Sequence, residues 1–163
     1  MFSPLVLTVW ILEVLMKTNA RMVSVMVCWA LAFAASLMGA ETVPGPSKRL
    51  IACLVQVESR GDSRAIGDKH LKNKAYGPLQ IRKPACDDVN KRFGKQYSPE
   101  QCLGNLELST EIFHLYMKMY ATEKRLGHVP TDEDCARIWN GGPNGYKKPE
   151  TEAYWQKVLK EGL

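Results

Sequence analysis

The stretch "LVQVESRGDSRAIGD" fills residues 54–68. Its first half continues a pattern that begins upstream. Leu50, Ile51, Leu54, Val55 and Val57 recur at spacings of three and four, the helical period. This helix is expected to start at Pro46 or Ser47, and Gly61 supplies its stop. Ile51, Val55 and Glu58 are four and three apart, so they share one helix face. That face is otherwise apolar, which leaves a carboxyl group on the greasy side of a helix end.

Burial takes hydration from the charged form of such a carboxyl, and the negative end of the helix acts in the same direction. Both favour a protonated glutamic acid near neutral pH, the state that a general acid for glycoside cleavage needs. A last-turn glutamate that swings out to water has the same spacing, so the pattern alone leaves both readings open. Asp62 and Asp68 follow on a loop able to fold back beside Glu58. Asp68 comes directly after a glycine in "AIGD", and a second carboxylate there could position water or stabilise an oxocarbenium ion. Asp62, directly after Gly61, reads as a turn cap.

Outward from this stretch the chain is mostly helical. Residues 62–83 form a loop with a short strand or hairpin, too small for an independent sheet. "PACDDVNKRFG" reads as a short helix with Pro84 near its start and Gly94 after its end. The longest helix is expected over about Asn105 to Leu126, with a stripe of Leu108, Ile112, Leu115 and Met119. Thr131 is a good N-cap for "DEDCARIW", "NGGPNG" at 140–145 is a tight turn, and Pro149 opens a last helix. The fold class expected is therefore α+β, mostly α-helical, with one small β element after the first helix.

The 163 residues suit one compact domain. Residues 1–40 differ from the rest: Lys17 and Arg21 precede an apolar run that ends in small residues, the order of a secretory signal peptide cut after Ala40. Met16 begins a normal-looking signal, so the true start is placed there and residues 1–15 are read as an over-extended frame. The alternative is a signal anchor, in which case the protein would stay on the membrane. Residues 41–46 then form a linker and 47–163 the working domain. The localisation expected is exported, periplasmic or extracellular. Removing 1–40 leaves 20 Lys+Arg against 16 Asp+Glu, a net charge of +4. No Lys/Arg run interleaved with aromatics occurs, which argues against nucleic acid as the partner.

Beyond the signal, Cys53, Cys86, Cys102 and Cys135 remain, an even number in an exported chain. Four cysteines allow three pairings, and the expected one is Cys86–Cys102 with Cys53–Cys135. The smaller loop would contribute roughly 3 kcal/mol by chain entropy. Cysteine and histidine spacings match no zinc site, and His70, His114 and His128 show no ligand spacing. No metal and no cofactor is expected.

"VESRGDSRAIGD", "AYGPLQI", "CARIWNGGPNG" and "YWQKV" occur in that order over residues 48–160. The ordered set resembles the lysozyme-like superfamily, above all the invertebrate-type (destabilase-like) lysozymes and their bacterial relatives. It is also similar to soluble lytic transglycosylases, which pair an "ES" with a downstream glycine-x-x-Gln and a late Asn-x-Gly turn. The resemblance implies a lysozyme-like fold and cleavage of the β-1,4 bond between N-acetylmuramic acid and N-acetylglucosamine in peptidoglycan. By that resemblance Glu58 matches the catalytic acid and Ser59 its usual neighbour. Gly77, Gln80 and Ile81 match the glycine-x-x-Gln-Ile element of the cleft, and Asn140 and Gly141 the late turn facing it. Sugar recognition wants amides, hydroxyls and flat aromatic surfaces, which Gln80, Asn140, Tyr76, Tyr146 and Tyr154 carry. For Tyr154, core packing is the competing role.

Two departures qualify the resemblance. Invertebrate-type lysozymes place their catalytic aspartate farther along the loop, near Leu71 here, and they are richer in cysteine. Asp68 is the substitute within reach. Without it the chain would resemble a one-glutamate lytic transglycosylase, which releases a 1,6-anhydro product. A third reading is a non-catalytic cell-wall-binding module. In each case the partner is the peptidoglycan glycan strand, and the protein is expected to act as a monomer.

Overall fold

The structure is a computed structural model and describes residues 45–163. The expected signal at 1–40 and most of the linker at 41–46 lie outside the described residues. Helix α1 spans Lys48–Ser59. The Ser47 side chain caps it by accepting from the Leu50 amide at 3.0 Å. The Ser47 amide and hydroxyl in turn donate to Asp132, at 3.0 and 2.6 Å, which ties this start to a helix far along the chain. At the other end Arg60 and Gly61 both take the left-handed conformation, and their amides return to the carbonyls of Gln56 and Val55.

Three two-residue strands follow: β1 Ile66–Gly67, β2 Ala75–Tyr76 and β3 Ile81–Arg82. They form one antiparallel sheet in the order β1-β2-β3. Gly67 pairs with Ala75 and Ala75 with Arg82; Ile66 pairs with Tyr76 and Tyr76 with Ile81. Paired residues share a face of the sheet and neighbours along a strand do not. Gly67, Ala75 and Arg82 therefore make one row, and Ile66, Tyr76 and Ile81 the opposite one.

Helix α2 is Lys83–Phe93, with Pro84 in its first turn and Gly94 ending it in the left-handed conformation. A 3-10 turn, Pro99–Cys102, leads to helix α3, Leu106–Tyr120, capped by Asn105. This helix is shorter than its apolar stripe suggests. The backbone leaves the helical region at Ala121 (φ −94°, ψ 72°), and Thr122 is extended before the short helix α4, Glu123–Leu126. The break sets the Ala121 side chain into the core.

Helix α5, Asp132–Gly141, starts with the expected Thr131 cap, reinforced by Asp134 in a capping box. It runs on through Asn140 and Gly141 before the chain turns. Two 3-10 turns, Gly145–Lys147 and Pro149–Thr151, precede the last helix α6, Glu152–Lys160. Pro149 thus opens a 3-10 turn rather than the α-helix itself. The turn can close this tightly because residue 145 is glycine; a Cβ there would lie 1.9 Å from the Arg137 carbonyl oxygen.

The helices close around Leu50, Leu54, Leu79, Ile112, Phe113 and Ile138, all without solvent exposure. The four cysteines sit in this core as free thiols, so neither expected disulfide is present. Cys53 instead points its thiol at the Glu161 carbonyl, 3.6 Å away. Burial and neighbouring acidic groups push the Cys86 and Cys135 thiols up to about 12. Cys102 is near enough to help raise the Cys86 pKa, but the two remain unbonded. In this fold the four serve as small apolar core residues.

Candidate active site

The end of α1, the face of the sheet that carries Gly67, Ala75 and Arg82, and the end of α5 surround a cavity of about 460 Å³. Glu58 lies in its wall and is half-buried. The Tyr154 hydroxyl, arriving on α6, donates to Glu58 Oε1 at 2.6 Å. Burial is the largest influence on this carboxyl and raises its pKa above the ordinary value. The Tyr154 hydrogen bond and the positive charge of Arg82 act downward, the negative charge of Asp68 upward, and the balance stays upward. The helix end thus holds a carboxyl biased toward its protonated form.

Asp68 lines the same cavity. It takes the left-handed conformation (φ 49°), uncommon for a residue with a side chain. Two contacts hold it there: its carboxylate pairs with the Arg82 guanidinium, and its carbonyl accepts from the Leu71 amide at 2.8 Å. Arg82 also donates to the Asn73 carbonyl at 3.0 Å, so one side chain spans both ends of the loop between β1 and β2.

Gln80 braces this arrangement from β3's edge. Its Nε2 donates to the Gly77 carbonyl at 2.9 Å and the Ala65 carbonyl at 3.3 Å. Gly67 permits the close approach, because a Cβ there would lie 2.1 Å from Gln80 Oε1. On the far wall, the Trp139 indole N–H donates to the Leu79 carbonyl at 3.2 Å. Its ring packs edge-on against Phe113 and Tyr116. Trp139, Tyr116 and Asn140 complete the lining.

The structure therefore gathers Glu58, Asp68, Gln80 and Asn140 around one cavity. Other residues expected at the cleft lie elsewhere. Ser59 turns its hydroxyl back to the Val55 carbonyl at 2.9 Å. Tyr76 belongs to the opposite row of the sheet and lines a different cavity. Gly77 (φ 73°) packs against the Cys102 carbonyl, and Ile81 is fully buried in the core. Gly141 is pressed against Thr151, and the Tyr146 hydroxyl donates to the Arg125 carbonyl at 2.9 Å. Arg82, Trp139 and Tyr116 are the residues that sequence reasoning missed. For Arg82 a usable signal existed: it lies two residues after Gln80, on the strand that follows. Among the described residues, no cluster of His, Cys, Asp and Glu is arranged to hold a metal ion.

Comparison with known proteins gives the family. The family model described as Destabilase matches residues 47–161. The chain belongs to the destabilase family. An invertebrate-type lysozyme from Ruditapes philippinarum is 33% identical over 125 residues, which covers 75% of this chain and 87% of the relative. The crystal structure of Tapes japonica lysozyme superposes with a TM-score of 0.61 at 30% identity, covering 72% of this chain and 92% of that one. Inhibitor-bound lysozyme from Meretrix lusoria gives 0.58 at 30% identity, covering 71% and 89%. The fold of this destabilase-family chain is lysozyme-like, and its family places it among the glycoside hydrolases of lysozyme type.

Proposed function

We propose that this protein is an exported muramidase that cleaves the β-1,4 bond between N-acetylmuramic acid and N-acetylglucosamine in peptidoglycan. One observation carries the reading: a half-buried Glu58, biased toward protonation, shares a cavity with an ion-paired Asp68. In this reading Glu58 is the general acid and gives its proton to the glycosidic oxygen as the bond breaks. The Tyr154 hydroxyl fixes the carboxyl's orientation. Asp68, held in place by Arg82, faces the positive charge that develops on the sugar, or positions the attacking water. Glu58, now a carboxylate, takes the proton back from that water. Trp139, backed by the buried Tyr116, offers a flat surface for a sugar ring, and Gln80 and Asn140 offer amides for its polar groups. The secretory pattern of residues 1–40 supports action outside the cell. Among the described residues, no helix is long and apolar enough to cross a membrane.

Mass spectrometry of muropeptides released from purified walls tests the reading. Hydrolysis predicts reducing-end products that carry one added water. Anhydro products, lighter by that water, would instead make the protein a lytic transglycosylase with Glu58 alone. Glu58→Gln should abolish release and Asp68→Asn should reduce it strongly. Full activity in Glu58→Gln would overturn the assignment, and wall binding without any release by the wild type would leave only a binding module.

A further inference from the structure

The opposite face of the small sheet carries a second cavity, of about 220 Å³. Lys72, Lys74 and Lys83 line it, together with Tyr76, Tyr97 and Asn73. Its charge is not balanced internally. Lys83 is spent on Asp87, with its ammonium 2.6 and 2.7 Å from the two carboxylate oxygens. Glu100, the other acid in the lining, offsets one of the two remaining ammonium charges, so the lining keeps an excess of one positive charge. Lys72 and Lys74 are exposed and have no ion-pair partner among the described residues. Two free ammonium groups therefore stand at a small cavity with tyrosine surfaces and an amide.

The position links this cavity to the catalytic one. Lys72, Asn73 and Lys74 belong to the loop between β1 and β2, which begins at Asp68. Arg82 reaches from the catalytic cavity to the Asn73 carbonyl, so the two cavities share a rim. At about 220 Å³ the second cavity falls below the roughly 300–1,000 Å³ of ordinary small-molecule sites. It suits a short charged branch and not a further stretch of sugar.

We infer that the cavity behind the hairpin binds the carboxylate-bearing peptide stem of the glycan strand held in the catalytic cavity, with Lys72 and Lys74 as its anion contacts. This rests on the muramidase reading above. The glycan is a chain of largely neutral sugars, whereas the peptide branching from each muramic acid ends in free carboxylates. A charge-assisted contact there adds affinity for peptide-bearing glycan and nothing for bare glycan. A wall phosphate polymer has the same sign of charge, but it is a separate chain and gains nothing from the shared rim.

The test compares wild type with the double variant Lys72→Gln/Lys74→Gln on two substrates: soluble glycan strands bearing peptide stems, and the same strands stripped of peptide by an amidase, with the lactyl carboxylates this exposes capped as methylamides. The variant should raise KM for peptide-bearing strands about three- to tenfold, as expected of exposed ion pairs, and leave kcat/KM on stripped strands within twofold. The wild-type preference for peptide-bearing strands should fade with added salt. Equal effects on both substrates, or none on either, would overturn the inference. A loss seen only on walls retaining phosphate polymer, and not on purified strands, would assign the cavity to that polymer and overturn it too. A direct measurement keeps this separate from the muramidase reading. A synthetic stem tetrapeptide with free carboxylates, titrated into the wild type, should shift the amide NMR signals of Lys74 and Tyr76 even if neither strand is cleaved. Unmoved signals would refute the site.

Discussion

Glu58→Gln should push activity and stability in opposite directions. Glutamine matches glutamate in size, and its Oε1 can still accept the Tyr154 hydroxyl, now 2.6 Å away. What it lacks is a proton to give. General acid catalysis is commonly worth about 10²–10⁴-fold, so release of muropeptides near neutral pH should fall by that factor. At about 1.4 kcal/mol per tenfold, this is about 3–5 kcal/mol of transition-state stabilisation. Stability follows from the raised pKa. The folded protein binds the Glu58 proton more tightly than the unfolded chain does. Below the unfolded value both states carry a neutral carboxyl and the residue costs nothing. As pH climbs from the unfolded value through the folded one, the wild type loses stability, because the charge must form in a desolvated place. Glutamine has no such loss. Thermal unfolding should give nearly equal melting temperatures for the two proteins at about pH 3, below the ordinary glutamate range. At about pH 8 the variant should melt higher. A variant that retains its rate within threefold, or a melting difference identical at both pH values, would refute the account of Glu58.

Tyr154→Phe removes the donor that draws the Glu58 pKa down. The alkaline limb of the activity profile should move to higher pH, and stability should drop by about 1 kcal/mol; a limb moving to lower pH would contradict the geometry. Gly77→Ala places a Cβ 2.3 Å from the Cys102 carbonyl oxygen at φ 73°, whereas Gly94→Ala at φ 66° meets nothing within 4 Å. Denaturant titration should show about 2–5 kcal/mol lost at Gly77, from backbone strain plus overpacking, and about 1–2 kcal/mol at Gly94. With thiols pushed up to about 12, Cys86 and Cys135 should resist iodoacetamide at pH 8 in the native protein and react after denaturation, as peptide mapping would show.

Much of the helical frame was legible because it is written locally. Ser47, Asn105 and Thr131 each cap the helix that the apolar spacing announces. The break at Ala121 was not legible, since the stripe of Leu108, Ile112, Leu115 and Met119 continues in phase toward Leu126. It comes from tertiary packing, which draws Ala121 inward. The site divides along the same line. Glu58, Asp68 and Gln80 sit within one short segment whose glycines and spacing point to a helix end and a hairpin. Trp139 and Tyr154 come from helices far along the chain, and no periodicity connects them to Glu58. Tyr76 failed for a different reason. Its chemistry suited a sugar, but the face it occupies depends on strand register, and two-residue strands leave too little alternation to read.

The register of this small sheet also explains how one cavity can hold two carboxyl groups in different roles. Glu58 arrives on a helix end that strips its water and hands it a phenol. Asp68 arrives at the end of β1 in a backbone conformation that side chains disfavour, and a strand cannot pay for that alone. The row Gly67, Ala75, Arg82 supplies the compensation. Gly67 clears space for Gln80, Ala75 keeps the centre of the row small, and Arg82 pairs with Asp68 across it. A one-residue slip of β3 would turn Arg82 to the opposite face and bring Ile81 to the carboxylates. That slip is opposed by the Gln80 amide donating to the Gly77 carbonyl at 3.1 Å in the turn that leads into β3, while the Gly77 amide donating to the Ala65 carbonyl at 2.9 Å holds β1 against β2. With the neighbouring cysteines unbonded, these hydrogen bonds and the Gln80 brace hold the hairpin in register. The second carboxylate is therefore as dependable as the hairpin's hydrogen bonding, and loosening Gln80 should displace Asp68 before it disturbs Glu58.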